Sequence, residues 1–309
     1  MKRSEALILA GAGIVAPLAT SAQSLTSMAV GAVPEESATP VLWAQQSGIF
    51  SRAGLNVDLV SERSGTAISA GVAGGAYQIG KSSIVPLVIA HAKGVPFVIV
   101  APGGLYRSAR PHIAMIGRRD SPIKTAADMN GKTLGVSALD DLYTIGIKDW
   151  IDKNGGDSTT LKIVELPSSA VMAALENRRI DAGGTSTPQL QEALDTGNVK
   201  VLAYMFDSIA SEFMYSAWFT TADYVKANGK VVAGFARAER EAAAYVNGHA
   251  AQTVSLLAKF SSINPDTISK MVRASMGTAL DPKLLQPVVD VCAHYKVIPA
   301  PFDAREMLA

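Results

Sequence analysis

Residues 55–80 read LNVDLVSERSGTAISAGVAGGAYQIG, and this stretch decides the fold. Residues 55–60 alternate between apolar and polar side chains, which is typical of a strand. Ser64-Gly65-Thr66 is a helix N-cap signal, and residues 67–73 continue as a helix. Residues 77–80 read as the next strand. The order strand, helix, strand predicts two parallel strands joined by a crossover helix.

The same alternation extends along most of the chain. Further strand-like runs lie at residues 25–33, 96–101, 133–136, 161–166, 180–183 and 199–204. Helix starts are indicated at Thr39-Pro40, at Asp140 or Asp141, and at Ser168-Ser169. After residue 204 the chain reads as mainly helical, with helices at 230–248, 265–272 and 283–295. We therefore predict an α/β protein of two lobes, each a mainly parallel sheet flanked by helices.

Two weakly similar segments, residues 72–80 and 175–183, indicate an internal repeat. Each segment runs from the end of a predicted helix into a predicted strand. This order agrees with the two-lobed interpretation.

Composition excludes several classes of function. The chain has 309 residues, which favours about two domains, and 28 basic against 27 acidic side chains. No basic run is present, so nucleic acid is not an expected partner. The single cysteine, Cys292, forms no intramolecular disulfide, and the four histidines are too widely spaced for an HxxxH or HExxH motif. A zinc site of histidine and cysteine ligands is therefore not expected, and no metal is predicted.

The first 22 residues have the pattern of a secretory signal peptide. Lys2 and Arg3 precede an apolar run at residues 6–18, and small residues follow at 19–22. The run is shorter than the roughly 20 residues that span a bilayer. We predict cleavage after Ala22 and a periplasmic location. No cysteine lies nearby to carry a lipid anchor.

A competing interpretation is a dinucleotide-binding start, because residues 7–16 read LILAGAGIVA and fit the G-x-G-x-x-A fingerprint. Glu35 even follows about 20 residues later. Only about 12 residues separate Gly13 from the next strand, however, and Pro17 lies among them. A crossover helix does not fit there, so the signal peptide is favoured.

Several motifs along the chain resemble one known family. They are residues 39–44 (TPVLWA), 47–50 (SGIF), 54–57 (GLNV), 123–136 (IKTAADMNGKTLGV), 174–183 with Asp181, 235–238 (FARA) and 244–247 (AYVN). Their order and spacing resemble the type 2 periplasmic binding proteins of ABC importers. The branch is the one that serves nitrate, sulfonates, taurine and thiamine-pyrimidine precursors.

The resemblance implies a domain organisation and a set of partners. Residues 23–102 and 203–309 would form the first lobe, and residues 103–202 the second. Gly103, Gly104 and Ala203 would lie at hinge crossings, although Gly103-Gly104 is equally compatible with a plain turn. The implied partners are a small-molecule ligand and an inner-membrane ABC permease. A monomer, no cofactor and no enzymatic activity are expected.

Ligands of such sheets lie outside the carboxyl ends of the strands, where helix N-termini offer unpaired N–H groups. Candidate ligand-binding residues of the first lobe are Thr39, Trp43, Ser64, Gly65, Thr66, Lys81, Ser82 and Ser83. Those of the second lobe are Asp140, Asp141, Tyr143, Ser168, Ser169, Thr185 and Ser186. Each of these roles has a structural alternative. A hydroxyl or carboxylate can cap a helix instead of binding a ligand, and Trp43 can pack in the core. Lys81 can be a solvated surface residue just after a strand.

Two departures from the resemblance bear on the ligand. Gln78 stands where an acidic residue is usual, and Leu139-Asp140-Asp141 stands where sulfonate-binding relatives tend to have Gly-Ser. Two carboxylates at a helix start repel an anion. Lys81 favours a carboxylate or carbonyl and the acidic pair an amine or ring N–H, so a zwitterionic or heteroaromatic ligand is expected.

Two other functions remain open at this point. The same fold serves a pyrimidine-precursor synthesis enzyme that uses pyridoxal phosphate and consumes its own histidine. None of the four histidines lies in a recognisable motif, and an export signal does not suit that route. A ligand-binding sensory subunit that docks on a membrane receptor is the other alternative, and the sequence does not separate it from transport.

Overall fold

The computed structural model of the protein describes residues 24–309, so the predicted signal peptide lies outside the described residues. Strands β1 to β13 are Thr26–Ala32, Leu55–Ser61, Ile79–Ser83, Phe97–Pro102, Gly104–Arg107, Ile113–Arg118, Thr133–Val136, Lys162–Glu165, Ala182–Ser186, Val199–Ala203, Glu212–Met214, Ser216–Thr221 and Ser275–Met276. Helices α1 to α11 are Thr39–Gln46, Ile49–Arg52, Gly65–Ala73, Ile84–Ala92, Leu142–Lys153, Val171–Glu176, Gln189–Asp195, Ala222–Gly248, Val254–Ser261, Pro265–Lys270 and Pro282–His294. Within residues 24–309, no helix has the length and apolar character needed to cross a membrane.

Two five-stranded sheets form the two lobes. Their strand orders are β2-β1-β3-β12-β4 and β8-β7-β9-β6-β10. In the first sheet β12 runs antiparallel to both of its neighbours, and in the second sheet β6 does the same. The remaining strands on the longer side, β2-β1-β3 in the first sheet and β8-β7-β9 in the second, are parallel to one another. The predicted two-lobed α/β fold with mainly parallel sheets is confirmed.

The two segments of the proposed repeat occupy equivalent places in the two sheets. Residues 72–80 lead from α3 into β3, and residues 175–183 lead from α6 into β9. Each central strand carries a glycine against which a helix packs. A Cβ on Gly80 would lie 2.5 Å from Ile68 of α3, and a Cβ on Gly183 would lie 2.6 Å from Val171 of α6. Close packing of helix on strand explains why both positions lack a side chain.

A three-stranded sheet of order β11-β5-β13 connects the lobes. The chain leaves the first sheet through Gly103 and returns to it between β11 and β12. A Cβ on Gly103 would lie 2.5 Å from the carbonyl oxygen of Ser216, so the two crossing segments pack backbone against backbone. Ala203 is buried at the end of β10, before the return segment. The predicted lobe boundaries remain a prediction, but β12 marks where the first sheet resumes.

The largest apolar cluster includes residues of both lobes. Phe97 of the first sheet, Leu134 of the second sheet and Val288 of α11 are among its buried members. Helix α11 contacts α4 of the first lobe and α5 of the second. Each such side chain contributes roughly 1.5–3 kcal/mol when it is fully buried. The C-terminal helix therefore braces both lobes.

Several elements differ from the prediction. Strands β6 and β12 and helix α4 were not predicted, because short segments that are buried along most of their length lack a diagnostic period. Strand β3 extends to Ser83, so Lys81 lies inside a strand and not after one. Helix α1 has Ala38 as its N-cap, and α6 has Ala170, so Thr39 and the Ser168-Ser169 pair are not N-caps. A 3-10 turn precedes each of these helices, so the N-cap of the α-helix does not lie at the residue that the sequence pattern predicts.

Candidate functional site

The candidate site lies where the carboxyl ends of the parallel strands of the two lobes meet. Glu35 and Glu36 follow β1 of the first lobe, Ser186 ends β9 of the second lobe, and Thr187 comes directly after it. The hydroxyl of Thr187 donates to Oε2 of Glu36 at 3.2 Å. The two lobes therefore touch at this edge, where residues from both come together.

A buried lysine lies at the centre of the first-lobe side. The Lys81 side chain is 2% exposed, and its Nζ lies 3.5 Å from Oε2 of Glu35. Burial lowers the pKa of Lys81, and the Glu35 carboxylate opposes that shift. Lys81 is therefore a desolvated cation that depends on a carboxylate of the cleft.

A second buried carboxyl lies near Lys81. Lys81 pairs with Trp218 across β3 and β12, and the Trp218 indole N–H donates to Oε1 of Glu239 at 3.1 Å. Burial raises the pKa of Glu239 to about 8. Its Oε2 has no hydrogen-bond partner among the described residues. Glu239 is therefore mainly protonated at neutral pH, and Glu35 is the main counter-ion of Lys81.

Two tyrosines face Glu35 from different parts of the molecule. Tyr143 belongs to α5 of the second lobe, and Tyr215 lies on the return crossing. Burial raises the pKa of each phenol, and the Glu35 carboxylate raises both further. The hydroxyl of Ser186 partly offsets the shift at Tyr143. The phenols therefore stay un-ionised at neutral pH, and each hydroxyl keeps a proton that it can donate. We call Glu35, Lys81, Tyr143, Ser186 and Tyr215 the cleft cluster.

A histidine lies beside Tyr215. The rings of His112 and Tyr215 have centroids 5.4 Å apart, and burial lowers the pKa of His112 to about 4. His112 is thus neutral at physiological pH. Its Nε2 has no hydrogen-bond partner among residues 24–309. The imidazole adds one more polar atom next to the cleft cluster.

The N-terminus of α3 lies against β3. Ser64 caps this helix by accepting from the Ala67 N–H at 3.2 Å, as predicted. A Cβ on Gly65 would lie 2.5 Å from Oγ of Ser82, so only glycine leaves room for that hydroxyl. Ser82 is 2% exposed, and its Oγ lacks a partner within the described part of the chain. A helix N-terminus with a free hydroxyl beneath it suits a carbonyl or an oxyanion.

The chain is similar to known proteins over most of its length. The sequence profile described as NMT1/THI5 like matches residues 35–253, a span that contains every residue of the cleft cluster. The chain belongs to the NMT1/THI5-like family. An Escherichia coli protein described as an aliphatic sulfonates-binding protein is 23% identical over 240 residues, which cover 76% of this chain and 73% of that protein.

Solved structures share the fold of this NMT1/THI5-like chain. The periplasmic aliphatic sulphonate binding protein SsuA of E. coli superposes with a TM-score of 0.75 at 21% identity, over 92% of this chain and 98% of SsuA. The periplasmic nitrate-binding protein NrtA of Synechocystis gives 0.76 at 14% identity, over 91% and 84%. The desulfurization enzyme DSZB gives 0.69 at 17% identity, over 92% and 96%. The fold therefore serves both binding proteins and an enzyme.

The NMT1/THI5-like fold brings only some of the predicted ligand residues together. Lys81, Tyr143 and Ser186 lie in the cleft cluster, and Ser82 and Gly65 lie beside the start of α3. For these residues, and for the hinge residues, ligand binding and hinge motion remain predictions. Thr66 is exposed on the first turn of α3, and Ser83 ends β3.

Three other predicted ligand residues have partners within the protein, and ligand binding by them remains a prediction. Asp141 caps α5 by accepting from the Thr144 N–H at 2.8 Å and also accepts from the Ser137 hydroxyl. The Trp43 ring stacks on Tyr245, with centroids 4.4 Å apart, and packs on the first-lobe core. Thr39 is fully buried and donates to the Glu36 carbonyl at 2.5 Å.

The remaining four candidates lie at different places in the second lobe, and ligand binding by them remains a prediction. Asp140 is exposed, and Thr185 is buried inside β9. Ser168 and Ser169 belong to a 3-10 turn. A ligand role for Asp140 and Asp141 remains a prediction, and Glu35 is a further carboxylate at the edge where the lobes touch.

Sequence reasoning missed Glu35, His112 and Tyr215. Glu35 had a usable signal, because Pro34-Glu35-Glu36 follows a predicted strand directly, at the carboxyl end where ligands bind. Tyr215 had none, since the strands on either side of it were not predicted. Within residues 24–309 no three His, Cys, Asp or Glu side chains are grouped closely enough to hold a metal ion.

Proposed function

We propose that this protein is an extracytoplasmic solute-binding protein that captures a small polar organic molecule between its two lobes and delivers it to an ABC permease in the inner membrane. The observation that carries the proposal is the cleft cluster, in which a first-lobe ion pair faces a second-lobe tyrosine and serine. The family and the sulfonate- and nitrate-binding relatives support the same role. A periplasmic location, a cleavable signal peptide and a monomeric state belong to this proposal.

The charges of the cleft cluster favour a particular ligand class. Lys81 is neutralised by Glu35, so the cluster offers no unpaired cation to a simple anion. The Glu35 side chain is 35% exposed and still has acceptor capacity. The two tyrosines and Ser186 offer hydroxyl groups. A zwitterionic or heteroaromatic molecule, with an amine or ring N–H toward Glu35 and an acceptor toward the hydroxyls, fits these groups best. Sulfonates, carboxylates and pyrimidine-like compounds that carry such a donor are included.

Capture follows from contacts to both lobes. A solute that touches Lys81 and Glu35 on one side and Tyr143 and Ser186 on the other binds the closed state more tightly than the open state. Differential affinity alone shifts the equilibrium toward closure. No covalent step is needed, and we propose no catalytic residue.

The ligand class is tested by matched pairs of compounds. Mature protein from Gln23 onward is screened by thermal shift against taurine and ethanesulfonate, and against 4-aminopyrimidine and pyrimidine. A bound ligand at 100 times its Kd adds about 2.7 kcal/mol, which raises the Tm by several degrees. We expect the amine-bearing member of a pair to bind at least 10-fold more tightly by calorimetry, because a hydrogen bond to a charged group contributes about 1.5–3 kcal/mol.

Two variants test which carboxylate is responsible for the preference for amine-bearing compounds. Glu35→Gln should remove most of the preference for the amine-bearing compound, whereas Asp140→Asn, at the exposed carboxylate of the second lobe, should leave it unchanged. Equal affinity for both members of a pair, unaffected by Glu35→Gln, would show that the ligand class is wrong. A cooperatively melting protein that binds no compound of these classes would contradict the solute-binding role as stated.

The two alternative functions make different predictions in the same assay. An enzyme would change the mass of the bound compound, which mass spectrometry of the released ligand detects. A sensory subunit would bind its ligand as well as a transport protein does. Co-purification distinguishes these two functions, because a transport protein would purify with a permease and a sensory subunit with a receptor. We expect unchanged ligand and co-purification with the permease.

A further inference from the structure

A polar cavity lies outside the cleft cluster, next to the strands that join the lobes. It has a volume of about 190 Å³ and shares no residue with the cleft cluster. Its polar lining comprises Glu36, Arg107, Arg110, Asn247, Arg273 and Ser275. We propose that this cavity binds a small oxyanion, such as phosphate, sulfate or a carboxylate group, with Arg110 as its main ligand.

The charge balance of the cavity leaves one arginine for a ligand. Arg107 forms an ion pair with Glu212 at 2.8 Å, and Arg273 forms one with Glu36. Arg110 is exposed, and no carboxylate among residues 24–309 lies within ion-pair distance of it. The cavity wall therefore carries a net positive charge and a guanidinium group that is free to form two parallel hydrogen bonds with an oxyanion.

The other side chains make a rigid frame around Arg110. Arg273 donates to the Ala250 carbonyl at 2.7 Å and to the Thr253 hydroxyl at 3.0 Å, besides its contact with Glu36. The Asn247 side chain exchanges two hydrogen bonds with the backbone of Met276, at 2.9 and 2.8 Å. A frame fixed in this way does not have to reorganise when an anion enters, and pre-organisation favours binding.

The position and the size of the cavity define the ligand. Arg107 and Ser275 belong to β5 and β13, which pair in the sheet that connects the lobes. The cavity is smaller than the roughly 300–1,000 Å³ of typical organic-ligand pockets, so a group of a few heavy atoms is expected. An oxyanion there would contact the crossing strand and the turn that leads into the second lobe.

The test uses inorganic phosphate with mature protein in a phosphate-free buffer, at ionic strength held constant with sodium chloride. We expect saturable binding by calorimetry with a Kd of about 1 mM or below, and a higher Tm on titration. Arg110→Gln should weaken binding at least 10-fold, and Arg110→Lys should weaken it less, because the charge remains but the fork geometry is lost. Sulfate and acetate, titrated separately, identify which oxyanion is preferred.

Two controls make the result specific. Arg237 is an exposed arginine of α8 outside the cavity, and Arg237→Gln removes the same charge. It should leave phosphate binding unchanged, and so should Tyr143→Phe in the cleft cluster. Equal weakening by Arg110→Gln and Arg237→Gln would show non-specific attraction and overturn the proposal. Loss of binding in Tyr143→Phe but not in Arg110→Gln would place the anion in the cleft and overturn it equally. The proposal does not depend on which solute the cleft takes.

Discussion

Lys81 shows how one buried charge organises the candidate site. Its ammonium group lies in the middle of a central strand and pairs with Glu35, whose carboxylate also acts on Tyr143 and Tyr215. Taking a charge out of water costs several kcal/mol unless a partner is close. The Glu35–Lys81 pair offsets that cost, and the Glu35 side chain stays partly exposed.

Glu239 yields a prediction about pH. Its folded pKa of about 8 lies above the ordinary value of 4.5, so its stabilising contribution is complete below about pH 4.5 and is lost as the pH rises through about 8. Glu239→Gln resembles the protonated form at all pH values. We expect the variant to gain stability relative to wild type as the pH rises from 5 to 8.5, by roughly 4 kcal/mol, measured by urea unfolding.

Glu241→Gln is the matched control for this prediction. Glu241 lies two residues further along α8, and its exposed side chain pairs with Arg52 at 3.3 Å. An exposed pair contributes little, so this variant should follow the wild-type pH dependence within about 0.5 kcal/mol. A stability difference between Glu239→Gln and wild type that does not change with pH would contradict the assigned titration.

At the scale of elements, the contact between α3 and β3 gives the sharpest prediction. A methyl group on Gly65 would clash with the Ser82 hydroxyl, and Ser82 is a side chain that can be shortened. We expect Gly65→Ala to destabilise the protein by about 1–2 kcal/mol, as overpacking does. The double variant Gly65→Ala/Ser82→Ala should regain wild-type stability or exceed it, because alanine is about 1 kcal/mol better than glycine in a helix.

Thermal melts of the two single variants and the double variant complete that cycle. Ser82→Ala alone should be nearly neutral in stability, since its hydroxyl has no partner within the described residues. Additive effects in the double variant would show that the two positions do not contact each other and would contradict the geometry.

The elements differ in how well the sequence predicts them. Strands β1, β2 and β7 and the Ser64 cap of α3 were predicted nearly to the residue, because period-two alternation or a capping side chain marks them. Strands β6 and β12 lie in sheet interiors and are buried on both faces, so no alternation between buried apolar and exposed polar residues marks them in the sequence. The antiparallel strand of each sheet was missed for this reason.

The candidate site was predictable only in part. Lys81, Tyr143 and Ser186 were identified because the fold resemblance placed their segments at strand ends and helix starts. Asp141 and Trp43 are residue types that often bind ligands. In the structure Asp141 caps α5 and Trp43 stacks on Tyr245. A sequence alone does not show which partner a side chain contacts. Glu35 acts through contacts with residues 46 to 180 positions away, which only the tertiary structure reveals.

At the scale of the whole molecule, several polar contacts already connect the lobes. Thr187 donates to Glu36 at 3.2 Å, and the Tyr295 hydroxyl donates to Asp152 of α5 at 2.8 Å. Helix α11 contacts both lobes as well. Hydrogen bonds of this kind contribute only about 1 kcal/mol each, so a ligand that touches both lobes can decide between open and closed states.

Small-angle X-ray scattering of the mature protein tests the central claim most directly. The radius of gyration is measured without ligand and with a saturating concentration of the compound that binds best in the matched-pair screen. The account predicts that the ligand lowers the radius of gyration, and that Tyr143→Phe requires at least 10-fold more ligand for the same change. An identical scattering curve with and without a bound ligand would contradict capture by closure of two lobes.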